Sequence, residues 1–147
     1  KNGREKFTRE QMGYGYRTSV LKRGEIEGIV LSALLKLKNS SKEEVSVKIE
    51  QFSERRKATQ PPGASMGSMF KSPTGDFAGR LIEAAGLKGT RIGNAEISTV
   101  HGNFFINHGE TKAEDIRALI HLVQRTVKEK FNVNLELEVE LVGDWNL

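Results

Sequence analysis

The sequence contains no cysteine, which excludes disulfides and thiolate metal sites together and fits a reducing compartment. It holds three prolines and one tryptophan, and aromatics make up only 7% of its residues. With no basic face interleaved with aromatics, a base-stacking nucleic-acid platform is not expected. No apolar run approaches the ~20 residues of a membrane span, and the first residues lack the apolar core of an export signal. The histidines His101, His108 and His121 lack the i, i+4 spacing and the glutamate partner of a zinc helix, so no metal site is expected. Neither a phosphate loop nor a Gly-x-Gly-x-x-Gly turn after a strand occurs, which removes a Rossmann reading. The expectation is a soluble cytoplasmic chain that binds neither membrane nor nucleic acid.

What remains is ordinary globular material. A length of 147 residues, with 37% hydrophobic and 29% charged, suffices for one core, or for a small domain plus a piece of another. The net charge of +4 is spread unevenly. Residues 1–23 carry seven basic side chains against Glu5 and Glu10, whereas residues 132–147 carry Glu136, Glu138, Glu140 and Asp144 with no basic residue. Such a gradient suits an anionic partner, and an anionic nucleotide qualifies as well as a polynucleotide does. The chain begins with Lys1 rather than Met, in a polar segment, and this reads as a piece of a longer polypeptide.

Periodicity predicts the elements. Ile29, Leu31, Ala33, Leu35 and Leu37 recur at period two with Ser32 and Lys36 on the other face, which favours a strand over 28–37, although leucine and alanine would also tolerate a helix. Ser41 with Glu44 forms a capping-box pattern ahead of Val45, Ile49 and Phe52, predicting a helix over 42–58 that Pro61 and Pro62 terminate. Glycine and serine over 64–76 predict a loop. A short helix over 77–85 should close at Gly86, and two short strands near Ile97 and over 103–107 should be joined by a turn at His101–Gly102. Thr111 with Glu114 gives a second capping box, opening a helix of about five turns on Ile116, Leu119, Ile120, Val123, Val127 and Phe131. Leu135, Leu137, Val139 and Leu141 alternate with Glu136, Glu138 and Glu140, the pattern of a half-buried strand with carboxylates on one side.

Three side chains invite a chemical reading, and each has a plainer one beside it. Arg17, between Tyr16 and Thr18, has the fork geometry to clamp a carboxylate, although most surface arginines form ordinary ion pairs. Ser68 lies in a glycine-rich loop with no histidine near it in sequence, so a turn serine is the plainer reading and a hydrolytic nucleophile gains no support. For Glu138 and its neighbours the plainer reading is an edge strand whose charges discourage aggregation. Pattern alone leaves the function open.

Longer blocks go further. Gly13-Tyr-Gly-Tyr-Arg-Thr-Ser19, Gly67-Ser-Met-Phe-Lys-Ser-Pro73, Arg80-Leu-Ile-Glu-Ala-Ala-Gly-Leu-Lys-Gly89, Ser98-Thr-Val-His-Gly-Asn-Phe-Phe-Ile-Asn107 and Leu135-Glu-Leu-Glu-Val139 together resemble the UDP-N-acetylenolpyruvoylglucosamine reductases of peptidoglycan synthesis, the MurB family. The resemblance implies an α+β fold: residues 1–40 as the tail of an FAD-binding domain, 41–60 as a connecting helix, and 61–147 as a substrate-binding domain with a small, mainly antiparallel sheet packed on helices. It further implies a flavoenzyme that passes a hydride from NADPH through FAD to the enolpyruvyl double bond of a UDP-sugar. Arg17, Ser68 and Glu138 would be catalytic, with Ser68 as proton donor and the other two stabilising the enolate. Tyr16, Lys71 and Ser72 would contact substrate. Relatives are about twice as long, and the missing upstream half supplies most of the FAD site, so this chain by itself should bind flavin weakly or not at all. The chain departs from the family's usual pattern at Ser72, often asparagine, and at Asn94, usually glycine. The alternative function is a non-catalytic nucleotide-sugar binding module.

Overall fold

The computed structural model describes residues 3–145. The chain divides into two units, Lys1–Ser40 and Ser41–Leu147. The first unit contains short turns over residues 9–26, among them a tight hairpin in which Gly15 and Thr18 exchange both backbone hydrogen bonds, at 3.2 and 3.4 Å. Tyr16 and Arg17 form its two-residue tip. The strand expected over 28–37 does not form. A strand exists only against a hydrogen-bonded neighbour, and among the described residues none pairs with this segment, so Ile29, Leu31, Leu34, Leu35 and Leu37 stay exposed.

The second unit is α+β. Helix α1 (Lys42–Thr59) starts where the Ser41 side chain accepts from the Glu44 N–H at 3.1 Å, and it stops ahead of Pro61 as expected. Its apolar positions Val45, Ile49 and Phe52 are exposed, and the helix has no buried residue. Residues 64–68, read from sequence as loop, instead form strand β1 (Ala64–Ser68). Alanine, serine and glycine carry little strand preference of their own. The pairing comes from β4 (Phe104–Asn107), whose Phe104, Phe105 and Ile106 are buried. Helix α2 (Ala78–Ala84) follows, and Gly86 closes it at φ +79°. Then come β2 (Arg91–Ile92), β3 (Ala95–Ile97) and β4, in an antiparallel sheet of order β1-β4-β3-β2. Asn94, the departure noted above, sits in the β2–β3 turn without a positive φ, because Gly93 takes the left-handed position at φ +56°.

Helix α3 (Ala113–Phe131) is the spine of the core. Leu119, Ile120, Val123 and Val127 are buried on the face predicted for them, against Phe105 of β4, Ile97 of β3 and Leu81 and Ile82 of α2. Its start lies one residue later than the expected box. The Lys112 N–H donates to Asp115 Oδ2 at 3.2 Å, while the Thr111 hydroxyl has no hydrogen-bond partner. Asp115 prevails because it packs onto the β2–β3 turn, where a Cβ on Gly93 would collide with its carboxylate. Residues 132–140 form no continuous strand; a single bridge joins Leu137 to Phe70. The expected burial alternation holds in part, with Leu135 buried, Leu137 and Val139 half-buried and Glu136 and Glu140 exposed, but Glu138 is half-buried like its apolar neighbours. No helix among the described residues is long and apolar enough to cross a membrane.

Phe105→Ala should lower the unfolding free energy of the chain by about 3–5 kcal/mol, since it empties the space between sheet and α3. Val45→Ala, on a helix without buried residues, should change it by less than about 0.5 kcal/mol in the same urea titration.

Candidate functional site

Ser68 is the last residue of β1, and a bulge sets its direction. Ser65 opposes Ile106 but Ser68 opposes Phe104, so β1 carries one residue more than β4 between those pairs, and Gly67 absorbs the kink at φ +81°. Past Ser68 the backbone runs between two partners. On one side the Met69 N–H donates to the Asn103 carbonyl at 2.9 Å. On the other, the Glu138 N–H donates to the Met69 carbonyl at 2.9 Å and the Lys71 N–H to the Glu136 carbonyl at 2.8 Å. Residues 132–140 lack a regular strand, yet these two bonds flank the Phe70–Leu137 bridge and fix residues 136–138 against 69–71. Segments 65 or more residues apart in sequence thus place Ser68, Lys71, Glu136 and Glu138 in one neighbourhood.

The side chains there are polar and partly open to solvent. Ser68, Lys71, Ser72 and Glu138 are half-buried. Lys71 Nζ lies 3.0 Å from Glu136 Oε2, so the lysine expected to meet substrate is ion-paired with a carboxylate that sequence alone left without a basic neighbour. Across water such a pair is weak and exchangeable, which leaves the ammonium able to accept a stronger anion. Beneath this surface Phe70 packs edge-to-face on Phe105, ring centroids 6.2 Å apart.

The loop after Ser72 ends in a clamp that sequence reading missed. Asp76 accepts from the Phe77 N–H at 2.7 Å and from Arg80 Nε at 2.6 Å, with Arg80 Nη2 as a further donor. Arg80 beside it, and then the Phe77 amide, pull the Asp76 carboxyl from its ordinary 3.8 to about 2. The i, i+4 spacing of an aspartate and an arginine around a helix start was the available signal.

Tyr16 and Arg17 belong to the first unit. Both are exposed at the hairpin tip, with the guanidinium 5.9 Å from the Tyr16 ring centroid. Arg17 adopts φ +55°, a left-handed conformation unusual for a residue with a side chain. A surface cavity of about 710 Å³ lies elsewhere, at the start of α3 between Lys112, Arg117 and Trp145, and it includes none of the predicted site residues. Among the described residues no group of three or more His, Asp or Glu side chains could hold a metal ion.

Comparison with known proteins gives a consistent result. Residues 58–142 match the family model described as UDP-N-acetylenolpyruvoylglucosamine reductase, C-terminal domain. The chain is 45% identical to the reductase of that name from Bacillus pumilus over 143 residues, covering 97% of this chain and 47% of the relative. It is 41% identical to one from Bacillus licheniformis, covering 94% of this chain and 75% of that relative. The crystal structure of the reductase (MurB) from Thermus caldophilus superposes with a TM-score of 0.73 at 45% identity, over 89% of this chain and 46% of that one. The chain spans about half the length of the first curated relatives it matches.

The Asp76 clamp makes a pH prediction. A carboxylate whose pKa drops on folding adds stability that is complete above its unfolded value of 3.8 and is lost as pH falls toward about 2. Unfolding free energy should therefore fall less steeply below about pH 4 in Asp76→Asn than in the parent, with parallel curves above about pH 5. Urea melts across that range measure it.

Proposed function

Because the chain belongs to the UDP-N-acetylenolpyruvoylglucosamine reductase family, we propose that it is the C-terminal portion of an enzyme that reduces the enolpyruvyl group of a UDP-sugar to UDP-N-acetylmuramate in peptidoglycan synthesis. NADPH is the hydride source in this reading, the reaction is cytoplasmic, and FAD, when bound, relays the hydride. Two electrons enter one carbon of the double bond as hydride, a proton enters the other, and the nicotinamide is oxidised.

The observation that carries the reading is the fastening of 136–138 to 69–71, because it holds a hydroxyl and a carboxyl from opposite ends of the unit beside one loop. In the proposal Ser68 delivers the proton to the carbon left electron-rich by hydride arrival. That charge spreads onto the adjoining carboxylate, where a fixed cation is worth most in a water-poor site, and Arg17 supplies it. Its left-handed backbone supports the assignment, since strained conformations concentrate at functional sites. Glu138 stabilises the same enolate by hydrogen bonding. Lys71 exchanges Glu136 for a substrate phosphate, and Tyr16 and Ser72 complete the contacts to substrate.

Fit to FAD is a separate matter. An isoalloxazine ring needs an apolar face to lie on, whereas the side chains accompanying Ser68 are lysine, serine and glutamate. They suit the substrate and not the flavin, so we assign the flavin site to the upstream part of the polypeptide. Residues 1–40 then complete the FAD-binding domain, 41–60 connect, and 61–147 bind substrate. Exposed Ile29, Leu31, Leu34, Val45, Ile49 and Phe52 support this division, because so much apolar surface in a water-soluble enzyme normally has a cover.

In the complete enzyme, Ser68→Ala should leave flavin reduction by NADPH at its parent rate and slow flavin reoxidation by the enolpyruvyl substrate by roughly 100-fold or more, within the range of general-acid contributions. Stopped-flow absorbance resolves the two half-reactions. Equal slowing of both would defeat the assignment.

A further inference from the structure

We propose that Asn103 is a positioning residue for proton delivery, fixing the backbone that follows Ser68; the inference rests on the reading of Ser68 as the proton donor. Asn103 is 5% exposed and sits just ahead of β4. Its carboxamide closes a two-pronged contact with a single residue: Oδ1 accepts from the Phe70 N–H at 2.9 Å and Nδ2 donates to the Phe70 carbonyl at 2.8 Å. Its own carbonyl accepts from the Met69 N–H at 2.9 Å. The side chain thus acts as an inserted peptide group, continuing the β1–β4 ladder past the bulge where the main chains have parted.

A count of backbone groups shows what depends on it. Met69 and Phe70 offer two N–H groups and two carbonyls; Asn103 satisfies three of these, and Glu138 the fourth. Met69 and Phe70 are themselves buried, so water cannot readily substitute. Removing the carboxamide leaves two polar groups of Phe70 without partners, in a segment then held by the Asn103 carbonyl on one side and by Glu138 and Glu136 on the other. The expected response is a shift of the segment, and Ser68 precedes it by one residue. Proton transfer is sensitive to such shifts, because the donor must lie within about 3 Å of its target.

Asn103 is itself aimed from behind. Its N–H donates to His101 Nδ1 at 3.1 Å, and the Ser98 hydroxyl accepts from the His101 and Val100 N–H groups at 3.3 and 3.0 Å. Close packing holds this turn: a Cβ on Gly79 would meet the His101 ring at 2.7 Å, and one on Gly102 would meet the Gly79 carbonyl at 2.9 Å. Leucine at 103 would match the volume but neither hydrogen bond. Aspartate would keep the acceptor for the Phe70 N–H and lose the donor to its carbonyl.

The test uses the complete, flavin-loaded enzyme with Asn103→Leu, Asn103→Asp and Ser68→Ala in parallel. Both Asn103 variants should reduce flavin with NADPH at the parent rate. Reoxidation by the enolpyruvyl substrate should slow by roughly 10- to 100-fold, the scale of a small misplacement of a reacting group. The solvent deuterium isotope effect on that step should rise, because proton delivery becomes limiting. A purely structural role would lower Tm without changing the isotope effect. If the Asn103 variants reoxidise at the parent rate while Ser68→Ala is slow, the inference is wrong and the functional reading stands. If Ser68→Ala is not slow, the reading itself fails. Should a variant not fold, amide exchange in the parent decides: Phe70 should exchange as slowly as Val123, and fast exchange at Phe70 alone would overturn the proposal.

Discussion

The three-residue segment from Met69 to Lys71 has no regular strand on either side, yet nearly all of its backbone hydrogen-bonding groups are used. Asn103 holds it on the β4 side and residues 136–138 on the other. The proposed roles of Ser68, Lys71 and Glu138 all depend on this arrangement. Buried peptide groups must find partners, and here the partners come from positions 33 and about 65 residues away in sequence. The requirement that folds the segment also brings the proposed hydroxyl and carboxyl together. Stability and the proposed chemistry would share the same bonds, so a change at Asn103 or Leu137 should be felt in both.

Much of the unit was readable from local sequence. Helix α3 follows from apolar spacing over five turns, and α1 from Ser41 and the double proline. Gly86 ended α2 as its conformational freedom implies. The misreadings share a cause, which is that the deciding partner lay far away in sequence. Strand β1 is Ala-Ser-Met-Gly-Ser, with little strand preference, and it pairs because β4 presents a buried edge to it. The Thr111 box lost to Asp115 because Asp115 also packs on Gly93. Residues 28–37 have the strand alternation but no described neighbour to pair with. Glu136, Glu138 and Glu140 looked like an edge-strand ladder, whereas Glu136 is paired with Lys71 and only Leu137 bridges.

The candidate site was legible in a different way. Neither Arg17 nor Ser68 nor Glu138 carries a pattern that physical chemistry alone reads as catalytic; the ordered blocks around them carried the family resemblance, and the family is established by the match over 58–142. Structure adds what blocks cannot: the bulge at Gly67, the left-handed Arg17 and the carboxamide of Asn103. Asn103 gave no such signal, because sequence reading placed it at the start of a strand over 103–107 and its partner Phe70 in a loop over 64–76. Only the register of three segments reveals that its side chain replaces a peptide.

In the proposed reaction Arg17, Ser68 and Glu138 act on one enolpyruvyl group. A crystal structure of the complete polypeptide with FAD and the enolpyruvyl UDP-sugar tests it most directly. The expected result has the Arg17 guanidinium and the Glu138 carboxyl around the carboxylate end of one enolpyruvyl group, with Ser68 Oγ within about 3.5 Å of the carbon to be protonated. A substrate seated away from any of these three side chains would contradict it.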